Sequence, residues 1–203
     1  MSSEPLRLAL FGDSLAAGVG SSSTADTLGP LLIADLAVAG VAAAHRVFAV
    51  SGARSAALAG QVAAAGAWPQ VAAVVVGAND LTHAVPADQA VAELTAALGT
   101  LRGAGVEVVL VPAPDLGIVA HVPPALREFV RAVSADFRAA QSRAAVALGV
   151  TVADTSGASA AFVRDPSMFS ADRFHPSSAG YRRIAVDVAP LVRAAARAFR
   201  EPR

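Results

Sequence analysis

The sequence predicts a three-layer α/β/α fold built on a five-stranded parallel sheet. Apolar strand-like runs alternate with helix-like stretches five times along the 203 residues. The strand-like runs are almost continuously apolar, which is typical of parallel strands that helices cover on both faces. No linker, internal repeat or charge run divides the chain, so we expect one domain that spans residues 1–203.

Each predicted strand is a short apolar run that stops at turn-forming residues. Gly12 ends the first run, Gly77 follows the third and strongest, and Pro112 closes the fourth. Glycine and proline favour turns and interrupt strands. The predicted strands cover residues 6–11, 46–50, 71–76, 106–111 and 150–153.

The stretches between the strands have helical patterns. In the fourth of them, Leu126, Val130, Val133 and Phe137 recur on one stripe, which predicts a face that covers the sheet. Residues 19–28 and 154–175 are predicted to be loops. The predicted helices cover about residues 29–39, 55–65, 86–102, 124–148 and 177–199.

Composition excludes several classes of function. The 16 basic and 16 acidic residues balance, so the chain lacks the basic excess of a nucleic-acid-binding protein. Cysteine is absent, which excludes disulfides and thiol chemistry. The first residues lack a signal-peptide pattern, and no apolar run reaches the roughly 18 residues of a membrane span. These observations predict a cytoplasmic protein without membrane insertion.

Residues whose chemistry could serve a functional site follow the predicted strands. Ser14 follows the first strand, Gly52 the second and Asn79 the third, while Asp172 and His175 follow the fifth. The carboxyl ends of parallel strands share one edge of the sheet, where ligand sites lie. We therefore expect these residues to meet at one site.

The residue types suit nucleophilic attack on an acyl carbonyl. Ser14 Oγ would attack, His175 would take its proton as general base, and Asp172 would orient the imidazole. The backbone N–H groups of Ser14 and Gly52, with the Asn79 amide, would form an oxyanion hole. Gly52 suits this role because the absence of a side chain allows close approach.

Four motifs then carry a resemblance to a known family. They are Gly12-Asp13-Ser14-Leu15, Ser51-Gly52-Ala53, Gly77-Ala78-Asn79-Asp80 and Asp172-Arg173-Phe174-His175-Pro176. In this order and spacing the chain resembles the SGNH subgroup of the GDSL hydrolases over nearly its whole length. The resemblance implies a flavodoxin-like fold and serine-dependent hydrolysis of esters or related acyl groups, without a metal or cofactor. It implies the same roles for the five residues named above.

Other residues near these motifs are candidates for substrate contact. His83 and Arg54 lie close in sequence to the two expected oxyanion residues, and Arg54 would suit a substrate carboxylate or phosphate. An exposed arginine or an ion pair is the alternative. Met168 and Phe169 would suit an apolar acyl chain, and their alternative role is to pack their own loop. No pair of histidines has a metal-ligand spacing, which predicts no metal site.

Three further polar residues are expected to be structural. Asp13 precedes the nucleophile and is expected to brace its loop through backbone N–H groups. Asp80 is expected to accept hydrogen bonds as a loop or helix-cap residue. His45 begins the second predicted strand and is expected to be structural or exposed.

These observations favour an esterase or lipase-like hydrolase that acts on a small-molecule acyl ester through an acyl-enzyme. An acyltransferase with the same residues is the alternative, because the two differ in acceptor binding and water exclusion. A non-catalytic domain that binds a small ligand is compatible with the fold, but such a domain has no need of an aspartate three residues before a histidine. The natural substrate, chain-length preference and oligomeric state are left open.

Overall fold

A parallel five-stranded sheet is the middle layer of the computed structural model, which describes residues 4–201. All neighbouring strands are parallel. The strands are β1 (Leu6–Gly12), β2 (Ala43–Val47), β3 (Val71–Val75), β4 (Glu107–Val111) and β5 (Thr151–Val152). Their spatial order, β2-β1-β3-β4-β5, is the flavodoxin-like order. The predicted fold class is confirmed.

Helices cover both faces of the sheet. Within residues 4–201 they are α1 (Ser14–Ala17), α2 (Leu28–Val38), α3 (Leu58–Ala65), α4 (Ala78–Thr82), α5 (Ala87–Gly103), α6 (Arg127–Ala147), α7 (Ser156–Arg164) and α8 (Ser178–Arg200). A short 3-10 turn, Ser55–Ala57, leads directly into α3. None of the helices in this described range has the length and apolar character that a bilayer crossing requires.

The central strands are apolar on both sides because each side faces a separate core. In β1, Leu8 and Leu10 point into a core shared with α2 and α8. Ala9 and Phe11 point the opposite way, into a core shared with α3 and α5. All four side chains are fully buried. Burial on both faces explains why the strands show no polar alternation.

The second strand begins three residues earlier than predicted. The prediction started at residue 46, whereas β2 runs from Ala43 to Val47 and pairs Ala43 with Leu6. The small residues at its start carry no strand signal, so the register with β1 determines the position. His45 therefore lies within β2, where burial lowers the pKa of its imidazole. Its ring packs closely on Gly29 of α2.

The predicted loop at residues 154–175 contains a helix. Serine and glycine at its start indicate a turn, but α7 forms because Ala158 and Phe162, one helical turn apart, are both buried in the core that α8 shares. Through these side chains α7 packs against α8.

The apolar stripe predicted for the fourth helix only partly covers the core. Phe137 is buried at 4% exposure, whereas Val133 is 40% exposed and Leu126 is 51% exposed. The loop after β4 contacts α6 at Ser134, whose Oγ accepts the Leu116 N–H at 3.3 Å. The exposed half instead lines an open groove of about 790 Å³.

We expect Phe137→Ala to lower the free energy of unfolding by about 3–5 kcal/mol, because it removes buried contacts and leaves a cavity. Val133→Ala, one turn earlier on the same helix, should change it by no more than about 0.5 kcal/mol, since that side chain is largely exposed. Urea denaturation measures both values. Equal losses in the two variants would contradict this description of α6.

Candidate active site

A serine, a histidine and an aspartate form one hydrogen-bonded line at the carboxyl edge of the sheet. Ser14 Oγ lies 3.0 Å from His175 Nε2, and His175 Nδ1 lies 2.6 Å from Asp172 Oδ2. Ser14 opens α1 directly after β1, whereas the other two residues lie in the loop before α8. The structure therefore brings together three residues that the sequence predicted to meet.

The hydrogen bonds around Asp172 fix the direction of this line. Its Oδ1 accepts from Ser170 Oγ at 2.7 Å and from the backbone N–H groups of Phe174 and His175, each at 2.9 Å. Desolvation opposes ionisation, but the bonds from His175, Phe174 and Ser170 together hold the pKa of Asp172 well below its usual range. An ionised carboxylate only accepts, so His175 Nδ1 carries the hydrogen of this bond, and in the neutral imidazole Nε2 is then the acceptor for Ser14.

The turn that presents Ser14 requires a glycine. Gly12 has φ of +120°, and a Cβ atom there would overlap the carbonyl oxygen of Val75. That same oxygen accepts the Asp13 N–H at 3.0 Å, which ties the turn to β3. Ser14 is the first residue of α1, so its N–H has no partner within the helix.

Asp13 is a buried carboxylate that caps α1. Its side chain is 3% exposed and accepts the Leu15 N–H at 3.0 Å, as a bracing residue would. Burial raises its pKa from 3.8 to about 6, against the opposing effects of the Leu15 hydrogen bond and of His175. The carboxylate of Asp80 adds to the increase.

The two remaining motif residues, Gly52 in a turn and Asn79 in α4, are linked through Ala53, the residue after Gly52. Gly52 has φ of +82°, in a turn closed by a 3.0 Å bond from the Ala53 N–H to the Val50 carbonyl. Such a turn needs a residue in the left-handed region, which favours glycine. Asn79 Nδ2 donates to the Ala53 carbonyl at 3.1 Å, so one of its amide hydrogens stays available.

Two buried polar contacts lie behind the site; sequence reasoning expected Asp80 to accept hydrogen bonds but missed Gln61. Gln61 accepts the Gly12 N–H at 2.7 Å and donates to the Gly12 carbonyl at 2.8 Å. Asp80 accepts from the Ser55 N–H and hydroxyl. Leu58, Gln61 and Ala65 are the buried positions of α3, so a glutamine on an apolar helical stripe was the available signal.

A cavity of about 100 Å³ lies against Ser14 and His175. Its walls are mostly apolar and come from the ends of β3 and β4 and from α7 and α8; among them are Leu15, Val111, Ile118, Phe162, Phe169 and Ile184. Leu116, Val119 and Phe174 line both this cavity and the groove beside α6. The site therefore has a small apolar chamber next to a larger apolar groove.

The four candidate substrate contacts lie in three different places. Phe169 lines the chamber and stacks edge-on against Phe162, with ring centroids 4.8 Å apart. Met168 instead packs against the core. His83 and Arg54 are exposed and line a separate recess; within residues 4–201 Arg54 has no ion-pair partner.

Metal-ligating side chains do not cluster in the part of the chain that the structure describes. No three histidine, aspartate or glutamate side chains there are placed to hold an ion together. The predicted lack of a metal site stays a prediction.

The serine–imidazole–carboxylate line at the edge of this sheet defines the class of protein, an α/β/α protein with the SGNH hydrolase fold. The family is then given by comparison with known proteins. The chain belongs to the GDSL-like lipase/acylhydrolase family, whose model matches residues 10–183. The resemblance seen in the four sequence motifs is confirmed.

Relatives agree with this assignment. The chain is 34% identical over 182 residues to the GDSL-like esterase Rv1075c of Mycobacterium tuberculosis. The aligned region covers 87% of this chain and 58% of that protein. The chain thus spans little more than half the length of this relative. TesA has a similar fold, with a TM-score of 0.74 and 22% identity over 93% of this chain and 99% of TesA. The acetylxylan esterase Axe2 from Geobacillus stearothermophilus has a TM-score of 0.71 and 17% identity, over 92% and 94% of the two chains.

We expect Asp13→Asn to stabilise the protein increasingly as the pH rises from about 4 to about 6. Below pH 4 the carboxyl is protonated in both the folded and unfolded states; above pH 6 the wild type must bury a charge. The difference in unfolding free energy between variant and wild type should grow by roughly 3 kcal/mol over this interval. Urea denaturation at several pH values measures it.

Asp165→Asn is the matched control for this titration. Asp165 also caps a short turn, but hydrogen bonds from Ser167 lower its pKa, and it is exposed. Its effect on stability should therefore be constant above pH 5. A constant difference for Asp13→Asn as well would show that the pKa of Asp13 is not raised.

Proposed function

We propose that this protein hydrolyses carboxylic esters through an acyl-enzyme intermediate on Ser14. The observation that carries the proposal is the line from Ser14 through His175 to Asp172, with distances of 3.0 and 2.6 Å, beside an apolar chamber. Membership of the GDSL-like lipase/acylhydrolase family supports it, as does the similarity to a GDSL-like esterase.

In the first half of the reaction, His175 Nε2 takes the proton of Ser14 as Oγ attacks the ester carbonyl carbon. The carbonyl oxygen becomes an oxyanion, which accepts hydrogen bonds from the N–H groups of Ser14 and Gly52 and from the Asn79 amide. When the tetrahedral intermediate collapses, the bond to the alcohol oxygen breaks and His175 gives its proton to that oxygen. The acyl group is then bonded to Ser14.

In the second half, water takes the place of the alcohol. His175 removes a proton from water, the hydroxide adds to the acyl carbon, and the bond to Ser14 Oγ breaks as the proton returns to it. Asp172 stays ionised throughout because its pKa is so low, and it stabilises each imidazolium that forms. The carboxylic acid then leaves.

The shape of the site favours an acyl group that is short or slender. The chamber of about 100 Å³ has room for a few carbon atoms, with Phe169 in its wall. Beyond Phe174, the exposed side chains of α6 offer apolar surface to a longer chain. Arg54 and His83 line a recess on the side of the oxyanion donors, and we propose them as rim contacts for polar parts of a substrate.

We expect purified wild-type protein to hydrolyse p-nitrophenyl esters and Ser14→Ala to reduce turnover to near background, because the nucleophile is lost. A fluorophosphonate probe should label the wild type at Ser14 and leave the variant unlabelled. Circular dichroism should be the same for both. Ser22→Ala, an exposed serine, is the control and should behave as the wild type.

A panel of acyl chain lengths run with the same proteins defines the substrate class. Well-folded wild type that is neither active nor labelled would overturn the serine mechanism. Preferential transfer of the acyl group to an added alcohol, with little free acid formed, would replace the hydrolase proposal with an acyltransferase.

We expect Asn79→Ala to lower kcat by about 10²–10³-fold with a small change in KM, since an oxyanion donor acts mainly in the transition state. Steady-state kinetics on a p-nitrophenyl ester measures both constants. Thr82→Ala, in the same short helix, is the control and should leave kcat within about twofold. A normal kcat in Asn79→Ala would remove this residue from the oxyanion hole.

A further inference from the structure

We infer that Gln61 and Asp80 are positioning residues. Through the helical segment between Ser55 and Gln61, they hold the turn before Ser14, the turn of Gly52 and the short helix of Asn79 at fixed positions relative to one another. The inference rests on the proposed function, because it concerns the geometry of that reaction. Neither side chain is part of the hydrogen-bonded line of Ser14, His175 and Asp172.

Asp80 joins the helix that carries Asn79 to the turn that carries Gly52. Its carboxylate accepts the Ser55 N–H at 3.1 and 3.2 Å and the Ser55 hydroxyl at 3.0 Å. Both side chains are 1% exposed. Ser55 lies three residues after Gly52, and Asp80 directly follows Asn79. Together with the bond from Asn79 to Ala53, this contact links the helix of Asn79 and the turn of Gly52 at two successive points.

Gln61 joins the same segment to the turn that carries Ser14. Gln61 Oε1 accepts the Gly12 N–H at 2.7 Å, and Gln61 Nε2 donates to the Gly12 carbonyl at 2.8 Å. Gly12 is the last residue of β1 and lies two residues before Ser14. Because both polar groups of one peptide residue are held by one planar amide, the orientation of the turn is fixed as well as its position.

The segment between these two contacts is one continuous helical segment. Residues 55–57 form a 3-10 turn that continues into α3 without a break, so Ser55 and Gln61 keep a constant separation. Asp80 holds one end and Gln61 the other. These two buried side chains thereby fix the backbone segments that carry Ser14, Gly52 and Asn79 relative to one another.

These contacts should affect the rate more than substrate binding. Catalysis depends on the position of the donors relative to the developing oxyanion, and a displacement of about 1 Å can cost roughly 10²-fold in rate. Loss of either side chain also leaves buried backbone or hydroxyl groups without partners, so some loss of stability is expected in addition. The kinetic constants separate these two effects.

The test compares Gln61→Met and Asp80→Asn with wild type on p-nitrophenyl acetate, well below the melting temperature of each protein. Both variants should show kcat lowered by about 10–100-fold and KM within about threefold. The rate of labelling of Ser14 by a fluorophosphonate should fall in parallel. In the double variant the two losses should combine to less than their product, because both act through one segment.

Leu101→Ala is the control for a purely structural effect. Leu101 is buried at the opposite end of the sheet, next to the start of β4. This variant should lose melting temperature and keep kcat. Should Gln61→Met fail to fold, Ser55→Ala removes only the hydroxyl bond to Asp80 and should still lower kcat.

An active wild type, with kcat unchanged in Gln61→Met, Asp80→Asn and Ser55→Ala, would overturn the inference and leave the proposed function standing. A wild type that neither hydrolyses esters nor labels at Ser14 would overturn the proposed function and this inference with it. An equal loss of kcat in Leu101→Ala would also overturn the inference, since it would attribute the losses to general instability.

Discussion

The close approach of Gly12 to the Val75 carbonyl is the constraint on which the site depends. It keeps β1 paired with β3 up to the last residue of both strands, so the chain leaves the sheet at its centre. Because β1 lies between β2 and β3, the turns after those two strands flank the one that carries Ser14. The strand order thus sets Gly52 and Asn79 beside the serine.

Where the sheet ends, side-chain amides replace backbone pairing. Gln61 binds both polar groups of Gly12, and Gln141 of α6 joins the Val76 carbonyl to the Ala113 N–H across the ends of β3 and β4. Each amide both donates to and accepts from buried backbone groups at the ends of these strands. The edge that must hold turns at defined positions is therefore also the edge where glutamines interrupt the apolar core.

The general fold and the position of the site could be predicted because both follow from local signals: continuous apolar strands and polar residues after each. Other features depend on the tertiary structure. The start of β2 is set by its register with β1, and α7 forms through the burial of Phe162. The exposed part of the α6 stripe lines an open groove that no periodicity reveals. Gln61 was overlooked because an isolated polar residue in a helix has no meaning until its partner is known. Single-domain organisation and cytoplasmic location stay predictions.

The acid and the base of the site come from one short loop, three residues apart, while the serine comes from the other end of the chain. The bond from Ser14 to His175 joins the two parts across 161 positions in sequence. Asp172 and His175 are therefore joined locally, by the bond between their side chains and by the bond from the His175 N–H to Asp172. Movement of that single loop would take the base and its orienting carboxylate away from Ser14 together. The serine turn and its neighbours would then keep their positions but lack a general base.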